Sequence, residues 1–200
     1  QLGYATSVSN FANIGYRDTD GQWKAMGTGV NGGVYCMAYA PDGSIYVGGA
    51  FTSAGGVANT AYLAKWNGSA WSSLGVINGN VNAMTVGPDG SLYIGGTFLT
   101  AGGVTVNRIA KWNGSTWSAL STGMNNTVSG LVVGPDNALY AGGKFTTAGG
   151  VAVSCIAKWD GANWTSLGTG MATGVTELYV RDVSFGPDGY LYAVGDFTTA

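Results

Sequence analysis

A segment of about 47 residues recurs along this chain, and this recurrence restricts the fold more than any other feature. Copies run from Pro41 to Trp71, from Gly87 to Trp117 and from Gly134 to Trp164, and a fourth begins at Gly186. Repeats of this length are single supersecondary units that bury their apolar faces against neighbouring copies. The chain is therefore predicted to form one repeat-built domain over residues 1–200.

Each copy reads as four short antiparallel strands. In the second copy the predicted strands cover residues 81–86, 91–98, 108–112 and 117–120. The Gly-Pro-Asp-Gly and Asn-Gly segments between them supply the φ angles that tight turns need. Gly95 and Gly96 lie inside a predicted strand, where glycine marks a bulge or a close backbone approach. Four strands per repeat predict an all-β protein, a β-propeller of four-stranded antiparallel blades, with a β-helix as the alternative architecture.

The repeats divide the domain into one split blade and three complete ones. Complete repeats are assigned to residues 28–74, 75–120 and 121–167. Residues 1–27 match the outer strands of a blade, with Tyr16 and Trp23 at the two tryptophan positions, and residues 168–200 match inner strands. Two arrangements stay open: the two halves pair and close a four-blade ring, or the chain is part of a larger propeller.

Composition excludes several classes of protein. Hydrophobic residues make up 46% of the chain and charged residues 9%, which is sufficient for a core and atypical of disordered chains. The eight Lys and Arg residues form no run, so no nucleic-acid partner is predicted. No apolar run approaches the roughly 18 residues of a membrane span. Cys36 and Cys155 occupy non-equivalent repeat positions and are predicted to be free thiols.

Tryptophan pairs recur five residues apart around the third-to-fourth strand turn, as Trp66/Trp71, Trp112/Trp117 and Trp159/Trp164. Such regularity favours packing between blades over a ring of exposed aromatics that stack on sugars. Trp112 is accordingly expected in the core.

The amino-acid sequence of the repeat resembles known propeller repeats. Ile-Tyr-Val-Gly-Gly-Ala-Phe, followed by Ala-Lys-Trp and Trp-Ser-Ser-Leu, resembles kelch-type repeats. Phe-Thr-Ser-Ala-Gly-Gly-Val-Ala-Asn before Leu-Ala-Lys-Trp-Asn-Gly-Ser-Ala-Trp is similar to the extracellular propellers of fungal cell-surface polarity proteins and secreted bacterial proteins. The last copy departs from the pattern, with Val194-Gly195 in place of Gly-Gly. The resemblance implies a propeller fold and an extracellular location.

The loops predict where a ligand would bind. The first-to-second and third-to-fourth turns share one end of every blade, the turn face, and are nearly invariant. The opposite end, the loop face, carries the connections between consecutive repeats and the Ala-Gly-Gly-Val loops, which differ more. The candidate binding residues lie on this face and at the channel mouth: Tyr35, Asn82, Ser129, Glu177, Arg181 and Asp182.

The sequence leaves two roles open for Asp182 within this set of candidate residues. Asp182 takes the place of Cys36, Ala83 and Gly130 on the innermost strand, and Tyr35, Asn82, Ser129 and Arg181 are equivalent one residue earlier. A carboxylate there would line the channel, or it would simply pair with Arg181.

Catalysis is not predicted, because the chain has no histidine for a catalytic triad. No metal or cofactor is expected, and Asp18-Thr19-Asp20-Gly21 is interpreted as a turn rather than a calcium loop. The expected function is a non-catalytic module on a cell or virion surface that binds a protein or glycan. The alternatives are an architectural repeat of a surface assembly or filament, and a carbohydrate-active enzyme that uses Glu177 and Asp182.

Overall fold

The computed structural model describes residues 13–171 and 179–199, and all regular structure in these ranges is β. Before the first complete repeat come β1 (Gly15–Arg17) and β2 (Trp23–Ala25). The first repeat contains β3 (Val34–Tyr39), β4 (Ile45–Gly49), β5 (Leu63–Trp66) and β6 (Trp71–Ser72). The second contains β7 (Val81–Val86), β8 (Leu92–Gly96), β9 (Thr100–Ala101), β10 (Val104–Thr105), β11 (Ile109–Trp112) and β12 (Trp117–Ala119). The third contains β13 (Val128–Val133), β14 (Leu139–Gly143), β15 (Thr147–Ala148), β16 (Val151–Ala152), β17 (Ile156–Trp159) and β18 (Trp164–Ser166), and β19 (Tyr179–Phe185) and β20 (Leu191–Asp196) follow.

Each complete repeat forms one antiparallel sheet of four strands. The hydrogen-bonded orders are β3-β4-β5-β6, β7-β8-β11-β12 and β13-β14-β17-β18. Their innermost strands β3, β7, β13 and β19 lie next to one another in that order. The predicted all-β fold of four-stranded propeller blades is therefore confirmed. The loop predicted at residues 99–107 contains a further small hairpin, β9–β10, and β15–β16 is its counterpart in the next repeat.

The turn sequences act through their side chains. The Asp89 carboxylate accepts the Ser91 amide hydrogen at 3.0 Å, and Gly90 takes φ +76°. The Asn113 side-chain oxygen accepts the amide hydrogens of Ser115 and Thr116 at 2.9 and 2.8 Å. These local bonds satisfy the turn backbone and fix the pairing of the flanking strands.

The first glycine of each Gly-Gly doublet allows neighbouring blades to approach closely. A Cβ added to Gly95 would lie 2.4 Å from Val128 Cγ1 in the next blade, and one added to Gly142 would lie 2.5 Å from Val180 Cγ1. No side chain fits at such distances, which explains the glycine inside a strand. The close approach predicted from the sequence is confirmed.

The second tryptophan of every pair is buried in the core, and in the first pair Trp66 is buried as well. Trp117 is 7% exposed and donates its indole N–H to the Leu74 carbonyl of the preceding blade at 2.6 Å. Trp71 and Trp164 make the same bond to the carbonyls of Met26 and Leu120. Trp112 is only partly buried and packs on the cluster from outside, so its expected core position is wrong.

The two end hairpins are incomplete blades within the described ranges. β1 pairs only with β2, and β19 only with β20. The register places Arg17 opposite Trp23 and Tyr16 opposite Lys24, so the predicted equivalence of Tyr16 with the first tryptophan is wrong by one residue. The division into a split blade and three complete ones stays a prediction. The described ranges contain no helix of the length and apolarity that crossing a membrane requires.

Candidate functional site

A β-bulge recurs at the start of every innermost strand. Val81 pairs with Gly96 and Ala83 with Gly95, which leaves Asn82 as the extra residue. The same shift leaves Tyr35 in β3, Ser129 in β13 and Arg181 in β19 unpaired in the ladder. Because a bulge changes the direction of a side chain, it frees this one position from sheet packing.

These bulge residues converge on one cavity of about 340 Å³ at the loop-face end of the inner strands. It is lined by all four inner strands, with Tyr35, Asn82, Ser129, Arg181 and Asp182 among the lining residues. Five of the six predicted site residues are therefore brought together. The sixth, Glu177, lies outside the described residues.

The lining groups differ in chemistry from blade to blade. Tyr35 is 54% exposed, and the Asn82 amide donates to the Val128 carbonyl at 3.2 Å. The Ser129 hydroxyl lies 2.9 Å from the Tyr179 hydroxyl. An aromatic ring, an amide and a hydroxyl thus stand at equivalent positions around one opening.

Arg181 and Asp182 are not paired with each other in the way the sequence suggested. The Arg181 guanidinium pairs with Asp196 at 2.7 Å and lies over the Tyr179 ring, 5.0 Å from its centroid. Asp182 accepts the Val183 amide hydrogen at 2.9 Å. The Asp182 carboxylate consequently keeps acceptor capacity at the cavity.

Cys36 contributes a thiol to the cavity wall without becoming a nucleophile. Burial raises the pKa of the Cys36 thiol to about 12, so it is protonated at neutral pH. Its Sγ lies 3.6 Å from the Val81 carbonyl oxygen. Neither Cys36 nor Cys155 is part of a disulfide, as predicted.

The charges of the turn face are satisfied among themselves. Lys65 pairs with Asp42 at 2.7 Å, and equivalent pairs join Lys111 to Asp89 and Lys158 to Asp136. The hydrogen bond from Lys65 holds the pKa of the Asp42 carboxyl at about 2. Asp18 accepts the amide hydrogens of Asp20 and Gln22, so the predicted turn is present.

Sequence reasoning missed Tyr179 and Lys144. The Lys144 ammonium lies 4.8 Å from the Tyr179 ring centroid, and the hydroxyl of the same tyrosine contacts the Ser129 hydroxyl. Tyr179 follows the five-residue insertion before β19, which has no counterpart in the other repeats, so the repeat pattern did not indicate that Tyr179 would contact Ser129.

Comparison with protein families supports the propeller. The β-propeller described as a domain of unknown function (DUF5122) matches residues 40–61 and 87–114. Residues 40–61 run from the first-to-second strand turn of one repeat through its second strand into the following loop. Residues 87–114 run from the Gly-Pro-Asp-Gly turn of the next repeat to its third-to-fourth strand turn. No curated protein matches the chain.

Solved structures with a similar fold include extracellular domains and an enzyme. Two structures of the extracellular domain of BT4673 from B. thetaiotaomicron match with TM-scores of 0.58 and 0.59, at 12% and 11% identity. Each match covers 90% of this chain and 23% of that chain. Virginiamycin B lyase from Staphylococcus aureus matches with a TM-score of 0.50 at 17% identity, over 92% of this chain and 56% of the lyase. The chain thus spans about a quarter to a half of the length of these proteins.

The prediction that the chain is not an enzyme has to be corrected. A lyase is among the structures that share the fold, so this architecture hosts catalysis, and the lack of histidine removes particular mechanisms rather than enzymatic activity as a class. The similarity extends to the fold and assigns this chain no reaction. At this level of similarity the chain is a β-propeller repeat protein.

Proposed function

We propose that this chain is a ligand-binding propeller of an extracellular or surface-exposed protein, on a cell or a virion, and that the bulge cavity is its binding site. The carrying observation is the recurrent bulge, which presents a chemically different side chain from each of four blades at one opening. A bulge kept for structure alone would not require tyrosine, asparagine, serine and arginine at equivalent positions. The proposal also holds that the repeats are kelch-like, and that residues 28–74, 75–120 and 121–167 each form one blade.

The cavity chemistry favours a glycan over a protein segment. The half-exposed Tyr35 ring offers a stacking surface, and the Asn82 amide and Asp182 carboxylate offer directional hydrogen bonds. Polyhydroxylated ligands use this combination, an apolar face with convergent polar groups around it. A cavity of about 340 Å³ suits one or two sugar units.

A glycan array followed by affinity measurements tests the proposal. Tyr35→Ala and Asn82→Ala are each expected to weaken binding of a retained glycan by about tenfold, the effect of one lost anchor. Tyr190→Ala is the matched control, because Tyr190 is also an exposed tyrosine but lies at the turn face.

Two results would contradict the assignment. Unchanged affinity in both cavity variants would place the site elsewhere on the molecule. If the protein binds peptides or proteins and no glycan, the ligand is a polypeptide and the proposed glycan class is wrong.

A further inference from the structure

The connection into the second complete repeat is one residue shorter than the connections into the first and third, and we name it the short crossing. Each connection starts at a carbonyl that accepts a tryptophan indole N–H, in Met26, Leu74 and Leu120. Each ends at a bridge to the alanine of an Ala-Gly-Gly-Val loop, made by Val30, Ile77 and Met124. Three residues lie between these anchors at 27–29 and at 121–123, but only Gly75 and Val76 lie between them in the short crossing.

A groove lies beside the short crossing, next to the outer strands of the second blade. Its volume is about 600 Å³, compared with about 340 Å³ for the bulge cavity, and the two share no lining residue. Residues 73–75 form one wall, Gly102 and Val104 of the β9–β10 hairpin form a second, and Trp112 with residues 115–117 forms the third. Small-molecule sites have volumes of roughly 300–1,000 Å³, so the groove is a second candidate site of suitable size.

The aromatic surface of the groove comes from a tryptophan that the fold leaves partly buried. Trp117 is buried, and its indole N–H is already bonded to the Leu74 carbonyl. Trp112 keeps part of its ring in solvent, and its indole N–H has no hydrogen-bond partner within the described residues. Trp112 therefore offers a ligand both a ring surface and a hydrogen-bond donor.

Three hydroxyl groups of the groove act as acceptors, because their own hydrogens are used inside the protein. The Ser73 hydroxyl donates to the Asn59 carbonyl. The Ser115 and Thr116 hydroxyls donate to the Asn113 side-chain oxygen, at 3.0 and 3.3 Å. Each hydroxyl oxygen keeps a lone pair for a donor of the ligand. A ligand that brings hydroxyl groups matches this set, whereas a phosphate or carboxylate, which only accepts, does not.

The charge of the groove points the same way. Among the described residues, those that form its walls are glycine, serine, threonine, leucine, valine and tryptophan, and none is charged. Lys111, the neighbour of Trp112 in β11, is paired with Asp89 at 2.9 Å. An ionic ligand would find no compensating charge in the groove, so a neutral ligand is favoured. The bulge cavity differs, because Arg181 and Asp182 line it.

We propose that this groove is a second carbohydrate-binding site, which takes a short neutral oligosaccharide with one sugar ring over Trp112. The apolar face of that ring stacks on the indole, and sugar hydroxyls donate to Ser73, Ser115 and Thr116. One sugar oxygen accepts the Trp112 N–H, and Val104, which is 37% exposed, adds an apolar contact. The groove shares a ligand class with the bulge cavity but no residue, so each site is tested independently of the other.

Nuclear magnetic resonance titration with maltotriose, cellotriose and mannotriose tests the proposal, because each indole N–H gives its own signal. The Trp112 signal is assigned by its loss in Trp112→Phe. Trp159 is the reference, since it is the equivalent partly buried tryptophan and follows a connection of full length. The expected result is a saturable shift of the Trp112 signal with at least one of these sugars, and no shift of the Trp159 signal. No Trp112 shift with any of them, an equal shift at Trp159, or a response only to the anionic sugar trigalacturonate would overturn the proposal.

Affinity measurements on variants separate the groove from the bulge cavity. Trp112→Ala is expected to weaken trisaccharide binding by about tenfold or more, whereas the matched control Trp159→Ala should leave it unchanged. Tyr35→Ala should leave the Trp112 shift in place, because Tyr35 lines only the bulge cavity. Binding that is lost in Tyr35→Ala and kept in Trp112→Ala would assign the sugar to the bulge cavity and overturn the groove.

Lengthening the short crossing tests the groove without changing its walls of side chains. A threonine inserted between Gly75 and Val76, together with Val76→Gly, gives this connection the length and sequence of Gly27-Thr28-Gly29. The first complete blade accommodates that connection, so the variant should fold, which thermal unfolding checks. The Trp112 shift should be lost in the folded variant. A folded variant with an unchanged shift would overturn the role of the short crossing, and Trp112→Ala decides the site where the variant does not fold.

Discussion

In the second and third repeats the two tryptophans have different roles, although the sequence presents them as a pair. Their rings lie 5.2 Å apart in the second blade, with an interplanar angle of 45°. Trp117 is buried and bonded to the Leu74 carbonyl, whereas Trp112 covers the cluster from the solvent side. The indole N–H of Trp117 therefore links two blades, in addition to the apolar area that it buries.

Trp117→Phe is expected to lower the free energy of unfolding by about 1–3 kcal/mol, because it removes a buried hydrogen-bond donor and part of the ring volume. Trp112→Phe should cost less, since Trp112 is only partly buried. Urea unfolding of both variants, followed by circular dichroism, gives the comparison. Equal losses would mean that the two rings share the core equally.

At the residue scale the sequence predicted which residues line the cavity better than it predicted what each residue contacts. The five described site residues were predicted because the repeats could be aligned, and the alignment holds in the strand registers. The partner of Arg181 could not be predicted, since Asp196 is distant in sequence and reaches it through strand pairing. The roles of Trp112 and Trp117 were equally hidden, because burial depends on the preceding blade.

At the scale of the strand, the Gly-Gly doublet connects the fold with the candidate site. Its first glycine lies opposite the bulged strand and admits the inner strand of the next blade, as Gly95 admits Val128. The bulge beside it releases Asn82 toward the cavity. The sequence revealed the glycine but not the bulge, because an extra residue in one strand is visible only once the partner strand is aligned.

Gly95→Ala is expected to destabilise the protein by about 1–3 kcal/mol, because the new Cβ would lie 2.4 Å from Val128 Cγ1. Val194→Gly, at the equivalent position of the last blade, should change stability by less in dilute protein, since Val194 is exposed. Thermal unfolding of the two variants and the wild type makes the comparison. A neutral Gly95→Ala would show that neighbouring blades can separate at little cost.

At the scale of the molecule, the blades depend on one another. Each main apolar cluster includes residues from two consecutive blades; one contains Leu63 of the first and Leu92 of the second. The middle blades are covered on both sides, whereas β3 and β20 expose large side chains at the two ends of the array. Repetition in the sequence predicted the blades and their order, but whether the ends meet depends on the curvature set by successive blade contacts, which no single repeat encodes.

Hydrogen exchange in dilute protein is expected to follow this inequality. Amides of β8 and β14, which are bonded on both edges, should exchange most slowly, and those of β20 and β1 fastest, because opening a two-stranded hairpin exposes little apolar surface. Mass spectrometry of peptides after exchange measures the order. Uniform protection from β1 to β20 at low concentration would mean that the ends are covered within one chain.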